Sequence, residues 1–322
     1  MKFYLAPMEG ITGYVYRSAV KKYYGDGIDR YFSPFITYHP KCVLNSHERR
    51  DLLPENNTGL NLIPQILTNR SEEFFAVSDY LCSEYGYREF NLNMGCPSGT
   101  VVSKGRGAGF LGKPDDLDRF LYEVFSGTDH AVSVKTRLGM TDLSEFDRLM
   151  DIYSKYPLAE LIIHPRVRKE MYSGEPHRDV FYGSFSKGTF PLCYNGNIYN
   201  RADYEDVTGK DGGACAGGRF AAVMCGRGMI SDPALIAQLS GRISDSEAQD
   251  VHRLKAFHDM VVEGYTEAFQ GDTGYVIRKM KEIWTYMIAG FPDSARPFRE
   301  LCKAQNMSAY MAAVEVIFGS RY

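Results

Sequence analysis

Eight short apolar or β-branched runs, spread evenly over the first 227 residues, limit what this chain can fold into more than any other feature. They are KFYLAPM (2–8), RYFSPFI (30–36), NLIPQIL (61–67), REFNLNM (88–94), AVSVKTR (131–137), ELIIHPR (160–166), PLCYNGN (191–197) and AAVMCGR (221–227). Helical patterns separate most of them, such as SEEFFAVSDYLCSEY, KPDDLDRFLYEVF and LSEFDRLMDIYSKY, with acidic residues in the first turns where the helix dipole favours them. Eight strand–helix units in succession predict an α/β fold, a (β/α)8 TIM barrel. An open doubly wound sheet would want a Gly-rich dinucleotide fingerprint after its first strand, and here that strand ends APMEG.

Beyond residue 240 the strand signals stop. Apolar residues recur at helical spacing: Val251, Leu254, Phe257, Val261 and Tyr265; Ile277, Met280, Trp284, Met287 and Ile288; Met307, Tyr310, Val314, Ile317 and Phe318. The spacing predicts three or four packed helices, so residues 1–240 are expected to form the barrel and 241–322 an all-α helical bundle. That second segment carries ten Lys and Arg against eleven Asp and Glu, so it has no basic excess. The stretch GKDGGACAGGR (209–219) reads as a flexible loop before the last strand.

Bulk properties exclude several classes. The seven cysteines are scattered, with no CxxC pair and no His at ligand spacing, so neither a metal site nor a disulfide framework is expected. The first ten residues lack a long apolar segment, and no run approaches the eighteen or so apolar residues that cross a bilayer, so a cytoplasmic protein without a membrane partner is expected. A formal charge of -3 gives no global attraction to nucleic acid. Any RNA surface must be a local patch.

In a (β/α)8 barrel the carboxyl ends of the strands face the site. Those ends here are Pro7 and Met8, Gln65, Asn93 with the following Cys96, Lys135 and Arg137, His164 and Arg166, Asn195 to Asn197, and Gly226 with Arg227. CGRG precedes a helix, and with NGN it reads either as a phosphate cradle at the seventh and eighth strands or as tight turns that need glycine. Lys135 is a charge on a strand that should face core, which asks for an anion or for a head that snorkels to the rim. His164 taken alone is as readily a satisfied core histidine. Cys96, ending NLNMGCP, is either a reagent or a small buried filler.

The ordered set APM, Gln65, NLNMGCP with VVSKGRGAGFL, VKTRLG, HPRVRKEMYSGE, NGN and MCGRG, spanning residues 6 to 235, resembles the tRNA-dihydrouridine synthase family of FMN-dependent enzymes. The helical tail is similar to that family's C-terminal, tRNA-binding bundle. The chain departs from the family pattern in reading EPHRD after YSG, and NGN where NGD or NGG is common. The resemblance implies backbone contacts from Pro7 and Met8 to the isoalloxazine of FMN, and a hydrogen bond from Gln65 to its pyrimidine edge. It implies Lys135 beside flavin N1 and O2, His164 in the flavin site, and a phosphate grip from Asn195, Gly196, Asn197, Gly226 and Arg227. Cys96 falls where the family keeps its general acid.

The reaction so implied reduces uridine in tRNA to 5,6-dihydrouridine, with NADPH or NADH as reductant: a hydride from flavin N5 reaches uracil C6, and Cys96 protonates C5. A neutral thiol, with an ordinary pKa of about 8.5, suits that role. Asn93 is expected to hold the uracil edge or the flavin. Extruding a base from a folded RNA costs a few kcal/mol, which phosphate contacts must offset. Lys104, Arg106, Arg137, Arg166, Arg168 and Lys169 are expected to form that basic rim, extended by Arg278, Lys279 and Lys281 on the appended helices. The protein is expected to act as a monomer. Two rival readings stand beside this one: a dihydroorotate dehydrogenase-like reductase of a free pyrimidine or other small enone, and a tRNA-binding flavoprotein that helps its RNA fold.

Overall fold

The computed structural model describes residues 1–209 and 220–320. Eight strands, β1 (Lys2–Leu5), β2 (Arg30–Ile36), β3 (Leu62–Ile66), β4 (Glu89–Met94), β5 (Ala131–Arg137), β6 (Leu161–His164), β7 (Leu192–Tyr194) and β8 (Phe220–Cys225), pair in sequence order into a closed parallel barrel. Closure is made by β1, which pairs with β2 through Tyr4↔Arg30 and with β8 through Phe3↔Val223. All eight expected strands are present and the expected barrel is the fold. The Gly-rich stretch read as a flexible loop lies, from residue 210 onward, outside the described residues, as does Cys215.

The helices follow local chemistry. Pro114–Gly127 opens on proline, whose fixed φ suits a first turn, followed by Asp115 and Asp116 at the positive end of the dipole. Ser71–Tyr85 stops at Gly86, whose φ of +78° closes the helix in a left-handed cap. Phe74, Val77 and Leu81 of that helix, and Leu117, Phe120, Leu121 and Val124 of the next, are buried against the outer face of the barrel.

Inside the barrel a second, smaller apolar cluster fills the ring: Tyr4, Ala6, Phe32, Ile63, Ile162, Cys193, Ala222 and Met224. Below it Tyr4 donates to Glu160 Oε1 at 2.9 Å, and Arg30 bridges Glu89 at 2.6 Å. The ring is therefore a packed plug, open only above.

Four helices, Val251–Ala268, Thr273–Met287, Ala295–Lys303 and Met307–Gly319, follow the barrel. Their apolar faces match the expected period: Phe257, Val261, Tyr265, Ile277, Met280, Trp284, Met287, Tyr310, Val314, Ile317 and Phe318 are buried, while Val251, Leu254, Ile288 and Met307 pack at the edge. They lean on the seam where the barrel closes. Phe257 meets Tyr16 edge-on at 5.5 Å, and Gly264 admits Val15, whose Cγ1 would stand 2.7 Å from an added Cβ.

One buried knot ties the first helix, Tyr14–Tyr24, to residues 51–57. The Arg17 guanidinium is fully buried and donates to Thr12 O, Asp51 O, Asn57 Oδ1 and Asp51 Oδ2 at 2.7–3.2 Å. Thr12 in turn accepts from Met8 N at 2.8 Å, so the knot shapes the loop after β1. Removing one partner of a buried ion pair strands the other in low dielectric, which typically costs about 3–5 kcal/mol. Arg17→Ala is expected to lower the unfolding free energy from urea titration by that scale, read as a fall in the midpoint at unchanged slope, and an unchanged midpoint would show that Asp51 finds water instead.

Candidate active site

The strand ends converge on one cleft at the carboxyl face of the barrel. It is lined by Pro7, Met8, Gln65, Asn93, Cys96, Lys135, Arg137, His164, Asn195, Gly196, Gly226 and Arg227, all singled out in the sequence, and also by Glu9, Phe35, Pro97 and Tyr172, which were not.

The alternation of a strand explains the selection. Ile63, Ile162, Cys193 and Met224 belong to the apolar plug, and two residues further along each strand stand Gln65, His164, Asn195 and Gly226. On β4 and β5 the inward series is polar earlier: Asn91 pairs in register with Ser133, and Asn93 with Lys135. These groups form a chain, with Asn91 donating to Ser133 Oγ (2.9 Å), Gln65 Nε2 to Asn91 Oδ1 (2.7 Å) and Asn93 Nδ2 to Gln65 Oε1 (2.7 Å).

Asn93 also organises the thiol loop. Its Oδ1 accepts the backbone N–H of Gly95 at 3.1 Å and of Cys96 at 2.9 Å, while Arg137 Nε donates to Gly95 O at 2.9 Å. The turn closes where Ala108 N donates to Cys96 O at 3.0 Å. Cys96 is thus held at the cleft wall, half-buried, chiefly through its backbone. Burial pushes its thiol up from the ordinary range, opposed by a backbone hydrogen bond at Ser98 and aided by the charge of Glu9.

Lys135 lies on the cleft floor, and no carboxylate among the described residues pairs with it. Burial, with Arg137 nearby, brings its ammonium down to about 8. His164 is buried, and burial together with the charges of Arg137 and Lys135 keeps its imidazole neutral. Its Nε2 accepts from Arg166 Nη1 at 3.1 Å.

Several expectations need correction in detail. The N–H of Met8 donates to Thr12 Oγ1, and its carbonyl accepts from Ile11 and Thr12, so the backbone groups expected to meet a ligand are already engaged within the loop. Arg137 and Arg166, expected on an exposed basic rim, are 2% and 0% exposed. Arg137 donates to Val167 O and Met171 O, and Arg166 to Ser173 O and Gly174 O, because backbone carbonyls of the loop after β6 wrap both guanidiniums. Arg106 is clasped by both oxygens of Glu73 at 2.8 and 2.9 Å. Lys279 reaches Gly10 O at 2.9 Å, and Lys281 reaches Ala304 O at 2.6 Å. Arg168 is half-buried with its Nε on Pro97 O, which leaves Lys104, Lys169 and Arg278 exposed.

At the seventh and eighth strands Asn197 lies just behind the cleft and accepts from Arg227 Nη2 at 2.8 Å, while Asn195 Nδ2 donates to Met224 O. Gly228 is required by close approach, since an added Cβ would stand 2.1 Å from Ile198 O. Tyr172 lies over this end, 46% exposed, with the guanidinium carbons of Arg227 and Arg137 at 4.7 and 5.2 Å from its ring centre. Met171 before it has φ +54°, a strained value for a side-chain-bearing residue. The MYSG within HPRVRKEMYSGE was the available signal for Tyr172.

A dihydrouridine synthase (Dus) family model matches residues 4–315. The chain belongs to the dihydrouridine synthase family. It is 26% identical over 313 residues to a probable tRNA-dihydrouridine synthase of Staphylococcus epidermidis, covering 95% of this chain and 90% of the relative. A counterpart from Staphylococcus aureus strain MRSA252 is 30% identical over 72% of this chain and 69% of its own length. A tRNA-dihydrouridine(16) synthase of Cupriavidus necator is 28% identical over 76% of this chain and 75% of its own. Among the described residues of this family member no His, Cys, Asp and Glu group is placed to hold a metal ion, and no helix is long and apolar enough to cross a membrane.

A thiol whose pKa is raised carries little thiolate at neutral pH, and thiolate is the species that alkylates. Cys96 is therefore expected to label with iodoacetamide more slowly at pH 7.5 than the exposed Cys42 and Cys302, and to gain as pH rises. Peptide mass spectrometry reads each site, and first labelling at Cys96 would reverse the protonation assigned to it.

Proposed function

We propose that this chain reduces uridine to 5,6-dihydrouridine in tRNA, with FMN as its bound cofactor, NADPH as its reductant, and Cys96 as the general acid. In this reading residues 1–240 carry the chemistry, the helices of 241–322 help to seat the RNA, and the protein works as a cytoplasmic monomer.

The observation that carries the reading is Lys135, a half-buried ammonium with no described carboxylate partner, facing the same cleft as a protonated thiol. Such a charge calls for an anion brought by a ligand. FMN fits the residues present. Lys135 would face the pyrimidine end of its ring system, Gln65 retains one amide proton for the edge, and Asn195, Gly196, Gly226 and Arg227 would offer a cation and polar backbone to the phosphate. Bound there, reduced FMN would supply the hydride for uracil C6.

The chain's own groups do the rest. Cys96 holds a proton at Sγ and delivers it to C5, where negative charge builds up because the C4 carbonyl conjugates with the C5=C6 bond. Lys135 and Arg137 then counter the thiolate left behind. Asn93 fixes the backbone on either side of that step through its two N–H contacts. Tyr172 lines one side of the cleft, with the guanidiniums of Arg137 and Arg227 near its ring.

The purified protein is expected to be yellow, with bands near about 370 and 450 nm from a bound flavin. A colourless protein that FMN does not reconstitute would end this reading. With the holoenzyme, Cys96→Ala is expected to slow dihydrouridine formation in tRNA by about 10²- to 10⁴-fold, the usual range for loss of a general acid, while flavin bleaching by NADPH proceeds at the wild-type rate. Equal loss in both half-reactions would make the thiol a support for the cofactor.

A further inference from the structure

Among the side chains that line the cleft, Glu9 is the one carboxylate; Lys135, Arg137 and Arg227 are cations. Its surface is reachable from the mouth, and no described donor lies within hydrogen-bonding distance of its oxygens. The loop that carries it is fixed at both ends. Met8 is locked by Thr12, and Gly10, at φ +77°, accepts Lys279 Nζ from the helix Thr273–Met287 at 2.9 Å. An acid held in a cation-lined cleft without a donor asks what donor arrives.

A uracil ring brings one. Its edge presents two carbonyl oxygens flanking N3–H, and the oxygens can take donors from the amide, ammonium and guanidinium groups of the walls. N3–H needs an acceptor, and three of the side-chain acceptors on the walls are engaged. Gln65 Oε1 accepts from Asn93, Asn93 Oδ1 takes two backbone N–H groups, and His164 Nε2 takes Arg166. Glu9 remains.

We propose that Glu9 is a specificity-determining residue that accepts the N3–H of the flipped uracil, placed for that purpose by Lys279 through Gly10. This rests on the uridine-reducing function above. Burial pushes the Glu9 carboxyl up to about 7, opposed by Lys279 and reinforced by Asp51, Glu48 and Glu282, which fits an acid whose anion lacks a protein donor. Either protonation state retains an oxygen that can accept from N3–H. A hydrogen bond to a charged group contributes a factor of about ten to a hundred in affinity, and a site built around it rejects an analogue that lacks the donor.

The test uses the FMN holoenzyme and two probes, uridine 5′-monophosphate and its N3-methyl derivative, titrated against flavin absorbance. Wild type is expected to favour the unmethylated nucleotide by about tenfold or more. Glu9→Ala and Glu9→Met should both bring the ratio close to one, so that instability of either variant leaves the other to decide. Glu9→Gln, whose amide oxygen still accepts, should keep most of it. Wild-type discrimination in Glu9→Ala or Glu9→Met would overturn the proposal, as would a fall in FMN affinity with the ratio unchanged, which would assign Glu9 to the cofactor. A wild-type protein that holds no flavin or leaves tRNA uridines unreduced defeats the functional reading instead, and absorbance and tRNA nucleoside analysis reveal that before any nucleotide is added.

Discussion

Side chains on a strand alternate, and closing eight parallel strands into a ring turns that alternation into stacked layers. The middle layer here is apolar and tight, from Tyr4 and Phe32 round to Cys193 and Met224. It seals the barrel from below. Gln65, His164 and Asn195, one step higher, therefore have packed hydrocarbon beneath them and the cleft above, while Asn93 and Lys135 at the same level stand over the polar pair Asn91 and Ser133. The depressed pKa of Lys135 and the neutrality of His164 follow from that position, since burial is the leading cause of each.

The electrostatics depend on how the arginines are satisfied. Arg137 and Arg166 bond to backbone carbonyls rather than to acids, and a carbonyl dipole satisfies a donor without cancelling its charge. The cleft keeps a positive field, which would suit the phosphate and the reduced ring of the proposed cofactor. That field alone would lower the Cys96 thiol. Burial and the Glu9 carboxylate outweigh it, so the thiol keeps its proton in a site that is otherwise cationic. In the proposed reaction an acid that gives up one proton per turnover would benefit from both conditions: it holds its proton beforehand, and its conjugate base would meet Lys135 and Arg137 afterwards.

Most of the fold was readable because period two and period 3.6 are local signals, and the strand ends inherit their position from the barrel rule. NLNMGCP and VKTR delivered Asn93, Cys96, Lys135 and Arg137 to the cleft as expected. The fate of the cations was not readable. A sequence shows that Arg166 is charged, but whether it faces solvent depends on the carbonyls of Ser173 and Gly174 folding back on it, which no spacing records. Lys279 is similar: its partner is a backbone oxygen 269 residues away. Glu9 and Tyr172 were missed for a related reason, since both sit on loops whose direction is set by remote contacts.

Those remote contacts bear on what the helical segment does. It has no basic excess, and two of its expected RNA cations, Lys279 and Lys281, bond to backbone oxygens. Its contacts with the loop after β1 are direct: Lys279 bonds to Gly10 O, Tyr265 OH donates to Ile11 O at 3.3 Å, and Arg50, beyond that loop, donates to Ala268 O at 2.6 Å. The loop carries Met8 and Glu9 into the cleft, yet β1 itself is only four residues long and ends at Leu5. A short strand does not fix the direction of the residues that follow it. The helices supply that constraint from outside the barrel, so the cleft depends on contacts from beyond residue 240 although no described residue of that segment lines it.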